Sequence, residues 1–286
     1  MYEVIFLFSL ALIWIIFATL QDIKSREVAN WLNFSLIVFA LGFRLIYSLF
    51  SFESGGGFNF FYHGLIGLGI FFIIGNIFYY GRIFAGGDAK LMIALGAVLP
   101  ISLSFLDNLK IFAVFFILFL LVGICYGLIS SFYLALKNFN NFKGEFYNQL
   151  NKIRRLVYII VFSGIVFMII GLFESIFFFL GLFIFLFPYF YLYAKAVDEA
   201  CMIKNIHSAK LTEGDWLYKD VKVGKKLIKA KWDGLTKSQI KEIKKRYKNI
   251  KIRQGIPFIP VFLISFLVLS VLIALNHIPL LWDSFW

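Results

Sequence analysis

The sequence has little charge for its length. Only 15% of its 286 residues are Asp, Glu, Lys or Arg, while 61% are hydrophobic, and the mean hydropathy is +0.87. A soluble domain of this size carries about a quarter charged residues. The shortage of charge therefore excludes an ordinary soluble globular protein and indicates a chain that is largely surrounded by lipid.

Cysteine and histidine are also scarce. The two cysteines, Cys125 and Cys201, lie far apart and form neither a disulfide framework nor a Cys-x-x-Cys zinc pattern. The three histidines are widely separated as well, which disfavours a histidine-based metal site. We therefore expect no metal and no other cofactor.

Long apolar runs, in contrast, recur along the whole chain. A bilayer core of about 30 Å needs about 20 apolar residues per helix. The sequence accordingly predicts an all-α integral membrane protein with about eight transmembrane helices. Their predicted ranges are 4–20, 28–50, 58–80, 91–106, 111–136, 156–173, 176–194 and 256–275. The fourth is the shortest and contains Pro100, which predicts a kink or an early end.

The positive charges predict how these helices are oriented, because Lys and Arg collect in cytoplasmic loops. With the N-terminus outside, four loops lie on the inside and hold 26 of the 28 Lys and Arg: 21–27, 81–90, 137–155 and 195–255. We expect residues 1–194 to form the transmembrane core with helices 1 to 7. Residues 195–255 are predicted to form a small basic cytoplasmic domain, and residues 256–286 the last helix with a C-terminal tail.

Most of the net charge of +12 lies in the basic stretch 195–255. Within its segment 236–250, four apolar residues are spaced like one narrow face of a helix: Ile240, Ile243, Tyr247 and Ile250. Thr236 and Gln239 fit a capping box at its start. We predict a helix that lies on membrane lipids, whose anionic headgroups attract it, or on the rest of this stretch. No aromatic residues are interleaved as on a base-stacking surface, so nucleic acid is not an expected partner.

Two aspartates stand out among the sixteen acidic residues. Asp22 follows the first apolar run, and Asp88 precedes the fourth in "AGGDAKLMIALGAVLP". By the predicted topology both lie at the same cytoplasmic depth, where an ionisable group is costly unless it faces a partner or water. Each also has a simpler explanation. Membrane helices often end in a charged residue, and an aspartate such as Asp88 favours a helix N-terminus.

Glycines surround the second aspartate. Gly86 and Gly87 directly precede it, and because glycine has no Cβ, the backbone there can turn sharply and let another chain approach. The third apolar run carries four more glycines, which permit close helix contact in a bilayer: Gly64, Gly67, Gly69 and Gly75. We therefore expect Asp88 to stand where a peptide strand can reach it.

Together these segments resemble the archaeal prepilin and preflagellin peptidases, membrane aspartyl proteases of the GxGD group. "QDIKSREVANW" is similar to the end of that family's first helix, with Asp22 in the catalytic position. "AGGDAK" is similar to its Gly-x-Gly-Asp-x-Lys motif, with Asp88 as the second catalytic residue and Ala85 in place of the first glycine. "RQGIPFIPVFL" is similar to the proline-rich start of its last helix.

The resemblance implies an aspartic endopeptidase in the cell membrane. Such an enzyme removes the short basic leader from prepilin- or preflagellin-type precursors at the cytoplasmic face. Supporting residues near the substrate are then expected at Gly86, Gly87, Lys90, Glu27 and Pro257. Lys90 is expected either to act on an aspartate or a substrate carbonyl, or to snorkel toward the cytoplasm.

An ion-coupled transporter is the alternative, with Asp22 and Asp88 as proton or cation sites. Carriers place such sites near the membrane midplane and show internal repeats, whereas both aspartates here are predicted at one face and no repeat is visible. An inactive scaffold is disfavoured by the pair of motifs.

Overall fold

The computed structural model describes residues 2–50, 57–224, 226–232 and 234–275. This part of the chain contains nine α-helices: α1 (Tyr2–Ser25), α2 (Asn30–Phe50), α3 (Asn59–Tyr80), α4 (Gly86–Gly96), α5 (Phe105–Lys137), α6 (Phe139–Ile170), α7 (Ser175–Cys201), α8 (Lys237–Lys244) and α9 (Ile259–Ala274). It also contains five short strands: β1 (Ile203–His207), β2 (Trp216–Leu217), β3 (Val221–Val223), β4 (Lys226–Ile228) and β5 (Asn249–Arg253). The prediction of a mainly helical chain is confirmed, and the strands were not predicted. The predicted C-terminal tail beyond residue 275 lies outside the described residues.

Six helices in the described part of the chain are long and apolar enough to cross a membrane: α1, α2, α3, α5, α6 and α7. Helix α9 is apolar but has only 16 residues. Helix α4 has 11 residues, which span about 16 Å, or about half of a bilayer core. These helices suit a multi-pass membrane protein. The count of eight spans and the orientation of the N-terminus stay predictions.

The fourth predicted span, 91–106, does not form one continuous helix, and the early end that Pro100 predicted is confirmed. Helix α4 begins earlier, at Gly86, and ends at Gly96, and α5 begins only at Phe105. Pro100 lies in the turn between them, and proline can neither donate the next helical hydrogen bond nor fit its ring into a continuing helix. The apolar run therefore divides into the end of one helix and a turn.

The chain divides into two compact units. The first comprises residues 1–127 and 257–286, and the second comprises residues 128–256. The first unit contains α1 to α4, most of α5, and α9. The second contains the end of α5, α6, α7, all five described strands and α8. The predicted domain boundaries after residues 194 and 255 stay predictions.

In the first unit, one face of α1 packs against other helices. Leu7, Ala11, Ile15 and Ala18 are fully buried, and their spacing of three or four residues places them on the same face. Asp22 follows Ala18 by one turn, continues this face, and is only 7% exposed. The packing of α1 therefore places the aspartate on the protein side of the helix.

Glycines bring α3 and α4 into close contact. A Cβ on Gly67 of α3 or on Gly96 of α4 would collide with the carbonyl oxygen of the other residue. Gly75 leaves room for the side chain of Ile93. The expected close packing is confirmed at Gly67 and Gly75. Gly69 differs, because a Cβ there would meet nothing within 4 Å.

Arg44 of α2 binds the backbone beyond the C-terminal end of α4. Its fully buried guanidinium donates hydrogen bonds to the carbonyl oxygens of Ala97 at 2.8 Å, Val98 at 3.0 Å and Pro100. It also binds the carbonyl oxygen of Phe60 at 2.9 Å. A helix end leaves carbonyl groups without intrahelical partners. The arginine supplies partners there and anchors the end of α4.

Residues 203–253 of the second unit contain all five described strands. Strand β5 pairs antiparallel with β1 and with β2, so this three-stranded sheet has the order β1-β5-β2. Strands β3 and β4 form a separate antiparallel pair. Alternate residues of β5, Ile250 and Ile252, are buried, as expected for a sheet with one covered face.

Helix α8 is shorter than the predicted helix over 236–250. Its predicted capping box is confirmed: the Thr236 hydroxyl accepts from the Gln239 N–H at 3.4 Å, and the Gln239 side chain accepts from the Thr236 N–H at 3.0 Å. Ile240 and Ile243 are buried in the small core of this stretch, together with Ile250. The apolar stripe thus packs on the rest of the basic stretch, which is one of the two predicted placements.

Candidate active site

Asp22 lies in the last turn of α1. The helix ends because Arg26 adopts a left-handed conformation with φ 61°, and its N–H binds the Asp22 carbonyl oxygen at 2.9 Å. The side chain of Gln21 then accepts a hydrogen bond from the N–H of Ala29 at 3.0 Å. These contacts define the turn between α1 and α2, with Asp22 on the buried side.

The carboxylate of Asp22 binds the start of α9. Its Oδ2 accepts a hydrogen bond from the N–H of Ile259, the first residue of that helix, at 2.9 Å. The first N–H groups of a helix lack intrahelical partners and favour a negative charge. Pro257 lies two residues before Ile259, so the proline-rich segment that was expected beside the substrate leads directly to Asp22.

Asp88 is the third residue of α4. Its Oδ2 accepts a hydrogen bond at 3.2 Å from the N–H of Ala85, the residue that caps the helix. This is the carboxylate half of a capping box. Ala85 has φ −70° and ψ 163°, an extended conformation that any residue adopts. Alanine in place of the motif glycine therefore causes no backbone strain here.

The two aspartates are 66 positions apart in the sequence but meet in the first unit. The carboxyl group of Asp88 is close enough to Asp22 to experience its charge. The charge of Arg26 in turn acts on Asp22. Among the described residues, no group of three or more His, Cys, Asp and Glu side chains could hold a metal ion. The arrangement is a pair of carboxyl groups, each oriented by one backbone N–H.

Comparison with known proteins identifies the relatives of this site. The sequence model of the type IV leader peptidase family matches residues 9–131, a range that contains both aspartates. Residues 9–131 are therefore similar to the type IV leader peptidase family. No solved structure matches the chain.

Two preflagellin peptidases are similar to part of this chain. The preflagellin peptidase of Methanococcus maripaludis (strain C6 / ATCC BAA-1332) is 29% identical over 134 residues, which is 44% of this chain and 56% of the relative. That of Methanococcus voltae is 29% identical over 141 residues, which is 47% of this chain and 58% of the relative. The chain thus spans a little over half the length of these relatives.

The two motif glycines of the leader peptidase region are helical. Gly86 and Gly87 are the first residues of α4, and neither has a positive φ. A Cβ on Gly87 would approach Val28 to 3.5 Å, and one on Gly86 would approach the ring of Tyr79 to 3.8 Å, both ordinary contacts. The expected sharp turn at these glycines is therefore wrong. The half-buried first turn of α4 therefore carries no side chain at the two positions before Asp88.

Lys90 and Glu27 have different surroundings. The ammonium group of Lys90 donates a hydrogen bond to Asn30 Oδ1 at 2.6 Å and so connects α4 to the first residue of α2. Glu27 is exposed in the turn between α1 and α2. Sequence reasoning missed both Asn30 and the N–H of Ile259. A backbone donor carries no sequence signal, whereas Asn30 stands visibly at the start of an apolar run.

Proposed function

We propose that this protein is a membrane aspartyl endopeptidase that removes the short basic leader from prepilin- or preflagellin-type precursors at the cytoplasmic membrane face. The observation that carries the proposal is the meeting of Asp22 and Asp88 in one site. The family match over residues 9–131 supports a peptidase. The names of the two relatives support precursors of the preflagellin type as substrates.

In the proposed reaction one carboxyl group acts as a base and the other as an acid. Two neighbouring carboxylates do not both ionise easily, so they share one proton, which belongs to the pair. The ionised group takes a proton from water while the water oxygen attacks the peptide carbonyl carbon. The protonated group stabilises the carbonyl oxygen, and the leaving nitrogen then receives a proton. The leader gains a carboxyl group and the mature protein gains an amino terminus.

The backbone contacts of both aspartates suit this reaction. Each uses its Oδ2 to accept one N–H, from Ile259 in the case of Asp22 and from Ala85 in the case of Asp88. We propose that the two Oδ1 atoms contact the water and the scissile peptide. Because the carboxyl groups are oriented before the substrate binds, less entropy is lost on the way to the transition state.

A precursor with a basic leader and an apolar helix matches this location. The apolar helix lies in the bilayer, and its first residues then stand at the cytoplasmic surface, at the depth proposed for Asp22 and Asp88. Exposed Glu27, in the turn that follows Asp22, is proposed to attract the basic leader, since opposite charges steer association.

Single replacement of either aspartate tests the proposal. Asp22→Asn and Asp88→Asn keep the side-chain size but remove the carboxylate, and each is expected to slow processing of a preflagellin roughly 10³-fold or more. Purified protein in detergent is incubated with the precursor, and the shortened product is measured by gel and mass spectrometry. Asp107→Asn is the matched control, because Asp107 is 53% exposed and forms an ion pair with nearby Lys110. Normal processing by Asp22→Asn or Asp88→Asn would exclude this pair as the catalytic groups.

The transporter alternative uses the same two aspartates. Protein reconstituted in vesicles separates the two functions, because a carrier couples solute uptake to a proton or sodium gradient and leaves a precursor intact. Shortening of the precursor without such uptake is the expected result. The family match favours the peptidase.

A further inference from the structure

A cavity of about 650 Å³ lies between α2, α3 and α4 in the first unit. Most of its wall is apolar, formed by Phe34 and Ile37 of α2, Leu65, Leu68 and Phe72 of α3, and Ile93 of α4. Gly86 and Lys90 also belong to the wall, and they lie on either side of Asp88 in the sequence. We call this cavity the α2–α4 groove. The groove therefore reaches the first turns of α4, the helix that carries Asp88, although neither aspartate belongs to its wall.

One polar residue of the groove wall lacks a partner among the described residues. Asn33 of α2 is only 1% exposed, and neither its Nδ2 nor its Oδ1 makes a hydrogen bond within this part of the chain. Buried amides are nearly always paired, because an unpaired donor or acceptor loses its bonds to water without replacement. The amide of Asn33 therefore matches a ligand that brings both a hydrogen-bond acceptor and a hydrogen-bond donor.

We propose that the α2–α4 groove binds the apolar precursor segment that follows the scissile bond, and that Asn33 binds one unwound peptide group of that segment. This inference rests on the proposed function. A peptide bond must leave its helix to be hydrolysed, and the unwound residues then carry free N–H and C=O groups in an apolar site, where each needs a partner. The side-chain amide of asparagine supplies both a donor and an acceptor.

The position of Asn33 fits this role. It lies three residues after Asn30, which is about 4.5 Å along the axis of α2. Asn30 binds Lys90, and Lys90 is two residues from Asp88 on α4. Asn33 therefore stands near the end of the groove that leads to the aspartates, where the first mature residues of a bound precursor lie.

A membrane phospholipid fits the groove less well. Its acyl chains can cover the apolar wall but form no hydrogen bonds, and its ester oxygens only accept them. The part of a lipid that lies along the apolar wall thus leaves the Oδ1 of Asn33 without a donor, whereas a peptide group provides both partners. The experiments below treat lipid as the competing occupant.

Filling the groove is the first test. Gly69 lines the groove, and a Cβ at this position meets nothing within 4 Å, so Gly69→Leu adds a side chain in open space. The variant is expected to fold and to raise the KM for a preflagellin at least tenfold. Gly42→Leu is the matched control, since a Cβ there also meets nothing within 4 Å and Gly42 is not among the residues of the groove wall. A wild-type KM for Gly69→Leu would overturn the inference.

Replacing the amide is the second test. Asn33→Leu is expected to raise the KM about tenfold while the melting temperature stays the same or rises, because an unpaired buried amide is removed. A residue that only supports the fold would show the opposite, a lower melting temperature with an unchanged KM. Ser48→Ala is the control on the same helix, since the Ser48 hydroxyl is also buried and has no hydrogen-bond partner among the residues that the structure describes. The Ser48→Ala variant should keep the wild-type KM and the wild-type melting temperature.

A photo-crosslinking amino acid in place of Phe72 identifies the occupant directly. It is introduced into the Asp22→Asn protein, which is reconstituted in lipid vesicles with a labelled preflagellin. A crosslink to the precursor supports the inference. A crosslink to lipid alone, while the wild-type protein still cleaves the precursor, overturns the inference and leaves the proposed function intact. Absence of cleavage by the wild-type protein overturns the proposed function and the inference with it.

Discussion

Asp22 and Asp88 each bind a backbone N–H at the start of a helix. The donors belong to Ile259 at the start of α9 and to Ala85 at the start of α4. Such N–H groups have no partner within their own helix, so a carboxylate side chain is a favourable one. Two helix starts therefore orient the pair, with no side-chain donor in either contact.

Gly87 gives a prediction at the scale of single residues. Gly87→Ala is expected to keep the stability of the protein, because the new methyl group would touch Val28 at an ordinary 3.5 Å. Processing of a preflagellin should nevertheless fall roughly 10- to 100-fold, since the methyl group displaces a peptide that approaches Asp88. Melting temperature and initial processing rate are the measurements.

The control for this variant is Gly42→Ala, at a helix position with open space around its Cβ. It should process the precursor at the wild-type rate. If Gly87→Ala also does so, the scissile peptide does not pass over the start of α4.

At the scale of secondary-structure elements, α4 is a short helix with attachments near both ends. Lys90 connects its first turns to Asn30 of α2. Arg44 binds the three carbonyl groups that follow the helix. Helix α4 is too short to cross a bilayer, so these contacts, rather than lipid, determine its depth and with it the position of Asp88.

Arg44 gives a prediction at this scale. Arg44→Met leaves four buried carbonyl groups without their donor and should lower the free energy of unfolding by roughly 3 kcal/mol or more. Arg44→Lys should recover only part of the lost free energy of unfolding, because a compact ammonium group replaces the forked guanidinium. Thermal unfolding in detergent measures the stability, and precursor processing measures the position of Asp88.

Lys110→Met is the matched control, because Lys110 is 42% exposed and forms an exposed ion pair with nearby Asp107. Loss of an exposed ion pair costs about 0 to 1 kcal/mol. An equal decrease in the free energy of unfolding for Arg44→Met and Lys110→Met would show that the buried guanidinium does not anchor α4.

At the scale of the whole molecule, the charge distribution predicts that the candidate active site lies at the cytoplasmic face. The turn after α1 and the segment before α4 carry basic residues, and both lie next to the aspartates. The turn between α4 and α5, which contains Ser104, has none. The positive-inside bias therefore predicts that Ser25 and Ser104 stand on opposite sides of the membrane.

Cysteine labelling tests this topology. Both natural cysteines are replaced by alanine, and Ser25→Cys or Ser104→Cys is added, since both serines are exposed. In intact cells an impermeant maleimide should label Ser104→Cys and not Ser25→Cys, and both should react after the membrane is opened. Labelling of Ser25→Cys in intact cells would contradict the cytoplasmic placement.

The candidate site was only partly predictable from the sequence. Asp22 and Asp88 were found because a charge at the end of an apolar run is costly and therefore conspicuous. Asn33 and Arg44 were not assigned their contacts, since a polar residue inside an apolar run indicates a partner without saying which one. The sequence also did not show which face of α1 is buried, because apolar residues occur on every side of that helix.

The sequence by itself determined the membrane class, most of the helix positions and the two aspartates, because apolar length and isolated charge are local properties of the chain. The tertiary structure decided that α4 ends at Gly96, that α9 supplies an N–H to Asp22, and that a groove opens between α2, α3 and α4. These features depend on which helices are neighbours. In a bilayer, close packing of small residues and buried hydrogen bonds select the neighbours, and the hydrophobicity of each helix does not.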